Sequence, residues 1–252
     1  MQITDLKQRD IDGADCISAV LDDLARHPVD PWPGDFRAHI AKGVGFVTFA
    51  YDIDGVSMEI AKYARCLERI LPDVPIHCIA GNFADKAGAV LDPSWHRFQL
   101  PGADGWDKWD GGKWFAQLFY EDLPPDSEQS SALAREMWHQ GLDLAEQLAA
   151  YITHNDIGLL VPVNTNSNPG NLAFALAIVF AAETTGCAVI SNNHDFFWEG
   201  GKEGCKRGLG EPRGPRDHFF RNHDNEAFFD FFQRIFPWNG RRWVQVNINP
   251  LQ

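Results

Sequence analysis

The chain has 252 residues, 44% of them hydrophobic and 23% charged, which suits one large α/β domain or two small ones and argues against wholesale disorder. A net charge of −13 repels phosphate backbones and anionic lipid surfaces, so nucleic acid is a poor partner. Cys16, Cys66, Cys78, Cys187 and Cys205 are odd in number and far apart with no C-x-x-C pair, which speaks against a zinc knuckle or redox motif and for small core residues in a reducing compartment.

Residues 1–42 are polar and "HPVDPWPGD" (27–35) is broken by three prolines, so this stretch is expected to be a partly helical extension outside the core. "MQITDLKQRDIDGAD" carries charges where a signal peptide needs an apolar run. "VGFVTFAY" (44–51) has the pattern of a strand buried on both faces. A helix follows, with Ile60, Ala64, Leu67 and Leu71 on one face and Ser57 as N-cap. "VPIHCIAG" (74–81) and "HRFQLP" (96–101) are the next strands, and "GADGWDKWDGGKW" (102–114) is a loop. From Asp126 a long amphipathic helix turns Leu133, Met137, Gly141, Leu144, Leu148 and Ile152 to one side. Strand "IGLLVPV" (157–163), a buried helix ending at a glycine, and strand "CAVIS" (187–191) come next. A basic, glycine-rich loop, the aromatic helix "EAFFDFFQRIF" (226–236) and the strand "WVQVNI" (243–248) complete the pattern. The longest apolar run, 172–182, is shorter than the roughly 20 residues that span a bilayer, so a cytoplasmic protein with no transmembrane segment is expected.

Strands alternating with long helices predict a doubly wound, mostly parallel, Rossmann-like α/β sheet. Ligands of such sheets bind at the carboxyl ends of the strands, which here carry three polar clusters: "YDIDG", "NTNSNPGN" and "NNHDFFWEGG". Gly55 opens a helix whose N–H groups and dipole favour an anion, or it serves only a tight turn. Asn164, Asn166, Asn168 and Asn171 offer uncharged donors and acceptors suited to the hydroxyls of a sugar, or they make the turn and cap the next helix. His194 and Asp195 are an acid/base couple, a metal pair or a hydrogen-bonding platform, and the further ligands that a metal needs are missing from the pattern. Phe196, Phe197 and Trp198 form a stacking wall or pack inside.

"GFVTFAYDIDGVSMEIAKYARCLERI" and "IGLLVPVNTNSNPGNLAFALAIVFAAETTGCAVISNNHDFFWEGG" resemble the amino-terminal, acceptor-side domain of retaining GT-B glycosyltransferases of the family 4 kind. The resemblance implies that residues 43–252 form one half of a two-domain enzyme that moves a hexose from a nucleotide sugar, its co-substrate, to a small or phosphorylated acceptor, with no other cofactor and no metal. It implies His194 as the catalytic-site histidine touching the transferred sugar, and Gly55 beside the donor phosphates. Asn164, Asn166, Asn168, Asp195 and Trp198 would then line the acceptor side, an extension from position rather than a family motif. Two departures stand out: Asp54 precedes Gly55 where the family shows a second glycine, and the donor-binding domain is expected from elsewhere, in cis or in trans. The face that would meet it should be apolar and favour a homodimer, and the chain alone should show no transfer. Lys202, Lys206, Arg207, Arg213 and Arg216 in the loop 200–217 form a positive concentration that either recruits a phosphorylated acceptor or is simply a solvated mobile loop. Asp52-Ile-Asp54 also resembles the nucleophile motif of haloacid dehalogenase magnesium-dependent phosphatases, though later strands end in Asn164, Asn192 and Asn247 where that chemistry needs acids. A third alternative is a non-catalytic carbohydrate-binding or assembly module.

Overall fold

The computed structural model describes residues 2–26, 34–196 and 220–248. Trp198, Phe197 and the basic loop 200–217 lie outside the described residues. The main sheet contains β1 (Val44–Val47), β3 (Ile76–Ala80), β5 (His96–Gln99), β6 (Leu159–Pro162), β7 (Ala188–Asn193) and β8 (Trp243–Asn247), in the order β5-β3-β1-β6-β7-β8. All neighbours are parallel. Two short strands, β2 (Ala50–Tyr51) and β4 (Asn82–Phe83), pair in parallel just past β1 and β3. Counting only the main sheet, the chain builds outward from β1 to β5, then returns to β6 on the other side of β1. That reversal defines a doubly wound, Rossmann-like sheet and puts its topological switch between β1 and β6.

Alternation along the strands divides the core into two. Val47, Ile79, Leu160 and Val189 face a larger cluster, whereas Val44, Phe46, Ile76, Cys78, Leu159 and Val161 face a smaller one. The smaller side is covered by α4 (Gly55–Ile70), which places Ile60, Ala61 and Ala64 on the sheet. The larger side carries α1 (Ile3–Leu6), α2 (Ala14–Arg26), α5 (Lys113–Phe119), α6 (Glu128–His154), α7 (Leu172–Thr185) and α8 (Glu226–Ile235). A short α3 (Phe36–Ile40) leads into β1.

Helix α7 is buried all round from Leu172 to Ala182 because it lies inside this layer, capped by Asn171 at its start and stopped by Gly186 at φ 72°. Gly141 lets α6 come close to it: a Cβ there would sit 3.1 Å from Leu176 and 3.3 Å from the Ala173 carbonyl. The aromatic helix α8 buries Phe228, Phe231 and Phe232 in the same core.

Three expectations change. Residues 2–26 are not a lead-in outside the core: Leu6, Ile17, Leu21 and Leu24 are buried in the larger cluster, and α2 lies against α8, with Asp22 paired to Arg234. The N-cap of α4 is Asp54 rather than Ser57, since Asp54 is the extended residue and its Oδ1 accepts from Ser57 N at 2.7 Å. The stretch after β5 is not all loop: 106–112 forms 3₁₀ turns and runs into α5, which buries Trp114, Phe115, Leu118 and Phe119.

On the α4 side, no described helix covers β7 and β8. Val244, Val246 and Ile248 are 57%, 42% and 56% exposed there. No helix of the described residues is long and apolar enough to cross a membrane.

Candidate functional site

The switch between β1 and β6 opens a cavity of about 160 Å³ at the carboxyl ends of those strands. Thr48 and Phe49 follow β1 and Ala50 opens β2, Asp54 and Val56 come from the start of α4, Asn164 follows β6, and Asp104, Gly105, Trp106 and Lys108 come from the segment after β5. Phe49 meets Trp106 edge to face with ring centroids 4.8 Å apart. Glycine is required where these rings pack: a Cβ on Gly105 would lie 2.9 Å from Phe49, and one on Gly170 would lie 3.0 Å from Phe49 and 3.1 Å from Trp106. Trp106 takes φ 52°, a left-handed backbone uncommon for so large a residue, and its N–H donates to the Gly170 carbonyl at 2.8 Å. Asn171 ties the same segment down by donating through Nδ2 to the carbonyls of Gly102 and Asp104.

Asn164 joins the loops after β6 and β7. It adopts φ 64°, tolerable for asparagine, and its N–H donates to the Asn192 carbonyl. Its Oδ1 accepts from Ser167 Oγ at 2.9 Å, Asp195 N at 3.1 Å and His194 N at 3.3 Å, while Nδ2 donates to Asp195 Oδ2 at 3.2 Å. Asn164 therefore both lines the cavity and holds His194 and Asp195 next to it.

His194 points to α4. Its Nε2 lies 3.0 Å from Glu59 Oε2, and the Glu59 carboxylate also takes hydrogen bonds from the Tyr63 hydroxyl and Asn192 Nδ2. Asn192 Nδ2 also lies 3.3 Å from His194 Nε2, so His194, Glu59, Tyr63 and Asn192 form one polar cluster between α4 and β7. Burial, and then the Glu59 carboxylate, push the Tyr63 phenol above its ordinary value. Glu59 sits one turn beyond Gly55, so the first helix, the asparagine turn and the histidine loop meet at one edge.

The expected site residues separate on inspection. Asn164 and His194 are brought together, with Asp195 beside them. Asn166 is 1% exposed and faces inward, donating to the Ala175 carbonyl of α7. Asn168 is also buried, and its Oδ1 has no hydrogen-bond partner. Gly55 has no left-handed backbone and no atom within 4 Å of where a Cβ would stand, so the tight-turn role is not required. The Asp54 carboxylate already occupies the helix N-terminus beside it, which leaves the phosphate role of Gly55 without support from this geometry. Phe196 is buried. Among the described residues no three His, Cys, Asp or Glu side chains are grouped to hold a metal ion.

Glu59, Tyr63, Asp104, Trp106 and Lys108 were not read from the sequence as site residues. Asp104, Trp106 and Lys108 follow β5 at its carboxyl end, the same positional signal that marked the other clusters. A wider hollow of about 700 Å³ lies between α1 and the carboxyl ends of α6 and α7, lined by Thr4, Glu146, His154 and Thr185 among others. It lies towards the amino ends of β6 and β7 and shares no lining residue with the crevice at the carboxyl ends. Compared with known proteins, the chain matches no family model, no curated protein and no solved structure.

Proposed function

We propose that the crevice between β1 and β6 binds a sugar or similar polyol, and that the chain acts as the acceptor-side half of a hexosyltransferase of the retaining GT-B kind. The observation that carries this reading is the make-up of the cavity at the switch point. An aromatic pair, Phe49 and Trp106, supplies an apolar wall, while Asn164, Thr48, Asp54 and Asp104 supply neutral and anionic hydrogen-bonding groups. A sugar ring presents C–H faces and hydroxyl edges, and such a lining matches both. Its volume of about 160 Å³ lies below the roughly 300–1,000 Å³ of drug-sized pockets, so it suits one small ring.

His194, held by Glu59 and by the Asn164 turn, stands next to this crevice where it can position a hydroxyl of the bound sugar. Hexose transfer from a nucleotide sugar also needs positive charge on the leaving diphosphate. Lys108 is the cation in the lining, against Asp54 and Asp104, so the diphosphate would be met by a second, donor-binding unit.

Calorimetric titration with a panel of monosaccharides tests the binding step. Heat should be measured with the wild-type chain and lost in Trp106→Ala and in Asn164→Gly, the latter keeping the left-handed backbone while removing the carboxamide. Equal binding by all three proteins, or none by the wild type, contradicts the reading. With nucleotide sugars added, the chain alone should give no transfer product.

A further inference from the structure

Charge distinguishes the crevice at the strand ends from the cavity on the sheet face beside α4. The latter, of about 260 Å³, is floored by Phe46, Val161 and Ile190 and has no charged side chain in its described lining. The crevice, of about 160 Å³, gathers Asp54, Asp104 and Lys108, two carboxylates against one ammonium, in a chain of net charge −13.

The hydrogen-bonding capacity of the crevice is as uneven as its charge. Thr48 is 4% exposed, and its hydroxyl makes no hydrogen bond among the described residues yet keeps accessible surface, so a partner can reach it from the crevice it lines. Asp54 uses Oδ1 to cap α4 and keeps Oδ2. Asp104 is engaged through its backbone carbonyl, which accepts from Asn171, while its carboxylate has no hydrogen bond or ion pair among the described residues. Lys108 is exposed and pairs with neither acid. Asn164 adds little, since Oδ1 already accepts three bonds and Nδ2 already donates to Asp195. Acceptors therefore outnumber donors in the capacity left for a ligand. A neutral sugar hydroxyl both donates and accepts, whereas an ammonium group carries three donors and no acceptor.

We infer that the ligand of this crevice is an amino sugar bound as its cation, an inference that rests on the reading of the crevice as a polyol site. The C–H face of the ring lies against Phe49 and Trp106, and the protonated amine donates to the Asp104 and Asp54 carboxylates and to the Thr48 hydroxyl. The same carboxylates repel a phosphorylated sugar.

Calorimetry on the full chain tests this with glucosamine, glucose, N-acetylglucosamine and glucose 6-phosphate, below neutral pH where the free amine is protonated and at matched ionic strength. Glucosamine should bind about fivefold more tightly than glucose, since ion pairs this open to solvent contribute little each. Acetylation should remove the gain, glucose 6-phosphate should bind least, and added salt should erase the preference. Asp104→Asn should bring glucosamine to the level of glucose without changing glucose itself. Asp54→Asn should narrow the preference with the fold intact, because asparagine caps a helix as well as aspartate, so it decides should Asp104→Asn not fold. Thr48→Val, of nearly equal size, should weaken glucosamine about fivefold. Equal affinity for glucosamine and glucose, or a preference that survives both asparagine substitutions, overturns the amino-sugar inference and leaves the polyol reading standing. Binding of ethanolamine as tight as that of glucosamine also overturns it, assigning the heat to the acidity of the chain. Heat with none of the sugars overturns both.

Discussion

Asn164 combines a left-handed backbone at φ 64° with four hydrogen bonds from its side chain, so two properties of one residue can be separated by substitution. Asn164→Gly relieves the backbone and removes the bonds, leaving Asp195 and the loop amides to water, and should lower stability by about 1–3 kcal/mol in urea denaturation. Asn164→Ala adds backbone strain and should lower it further. His77 makes a second, unrelated prediction. It is buried on β3 with Nδ1 2.9 Å from the Tyr151 hydroxyl, stacks on His96, and has no partner at Nε2. Burial, with the neighbouring His96, pushes its imidazole down to about 4 from 6.5. Between those values the unfolded chain binds the proton and the folded chain does not, so this residue's contribution to stability falls as pH drops from 6.5 towards 4 and changes no further below that. Thermal melts across this window should show His77→Gln losing less stability than the wild type, and parallel losses would contradict the assignment. The cysteines are consistent with core roles where buried: desolvation raises the thiols of Cys78 and Cys187 to about 12.

At the scale of elements, strands and long helices were legible because periodicity is a local property. The helix α7 was marked by its unbroken apolar run and glycine stop, and α6 by Leu133, Met137, Leu144 and Leu148. The N-terminal helices differ from the linker that the prolines at 28–33 suggest, because Ile17, Leu21 and Leu24 at helical spacing give α2 a buried face. Leu21 is fully buried, and Leu21→Ala should cost about 2–5 kcal/mol, a loss that a detached extension would not show. The site was legible only in part. Position at a strand's carboxyl end identified Asn164 and His194, but an asparagine's sequence does not say which way its amide turns, and Asn166 turns inward to α7. Glu59 and Tyr63 lie on the flank of α4 and become site residues only because the end of β7 and the loop after it bring Asn192 and His194 over them. Trp106 depends on a left-handed turn and on two glycines distant from each other in sequence, Gly105 and Gly170.

For the molecule as a whole, strand order does most to organise function. The reversal between β1 and β6 separates two adjacent loops and leaves a crevice there, into which the segment after β5 inserts Trp106. The opposite consequence of the same winding is the open apolar strip on the α4 side of β7 and β8, since parallel sheets are usually covered on both faces. Polar and apolar cavities thus flank the Glu59 and His194 pair, one at the carboxyl ends of the central strands and one on the face of the sheet. The most direct test of the polyol crevice is an amide NMR titration of the chain with monosaccharides, mapped residue by residue. Saturable shifts should concentrate at Thr48, Asp104, Asn164 and His194. Shifts confined to Thr4, His154 and Thr185 at the other end of the sheet, or none at saturating sugar, would contradict the account.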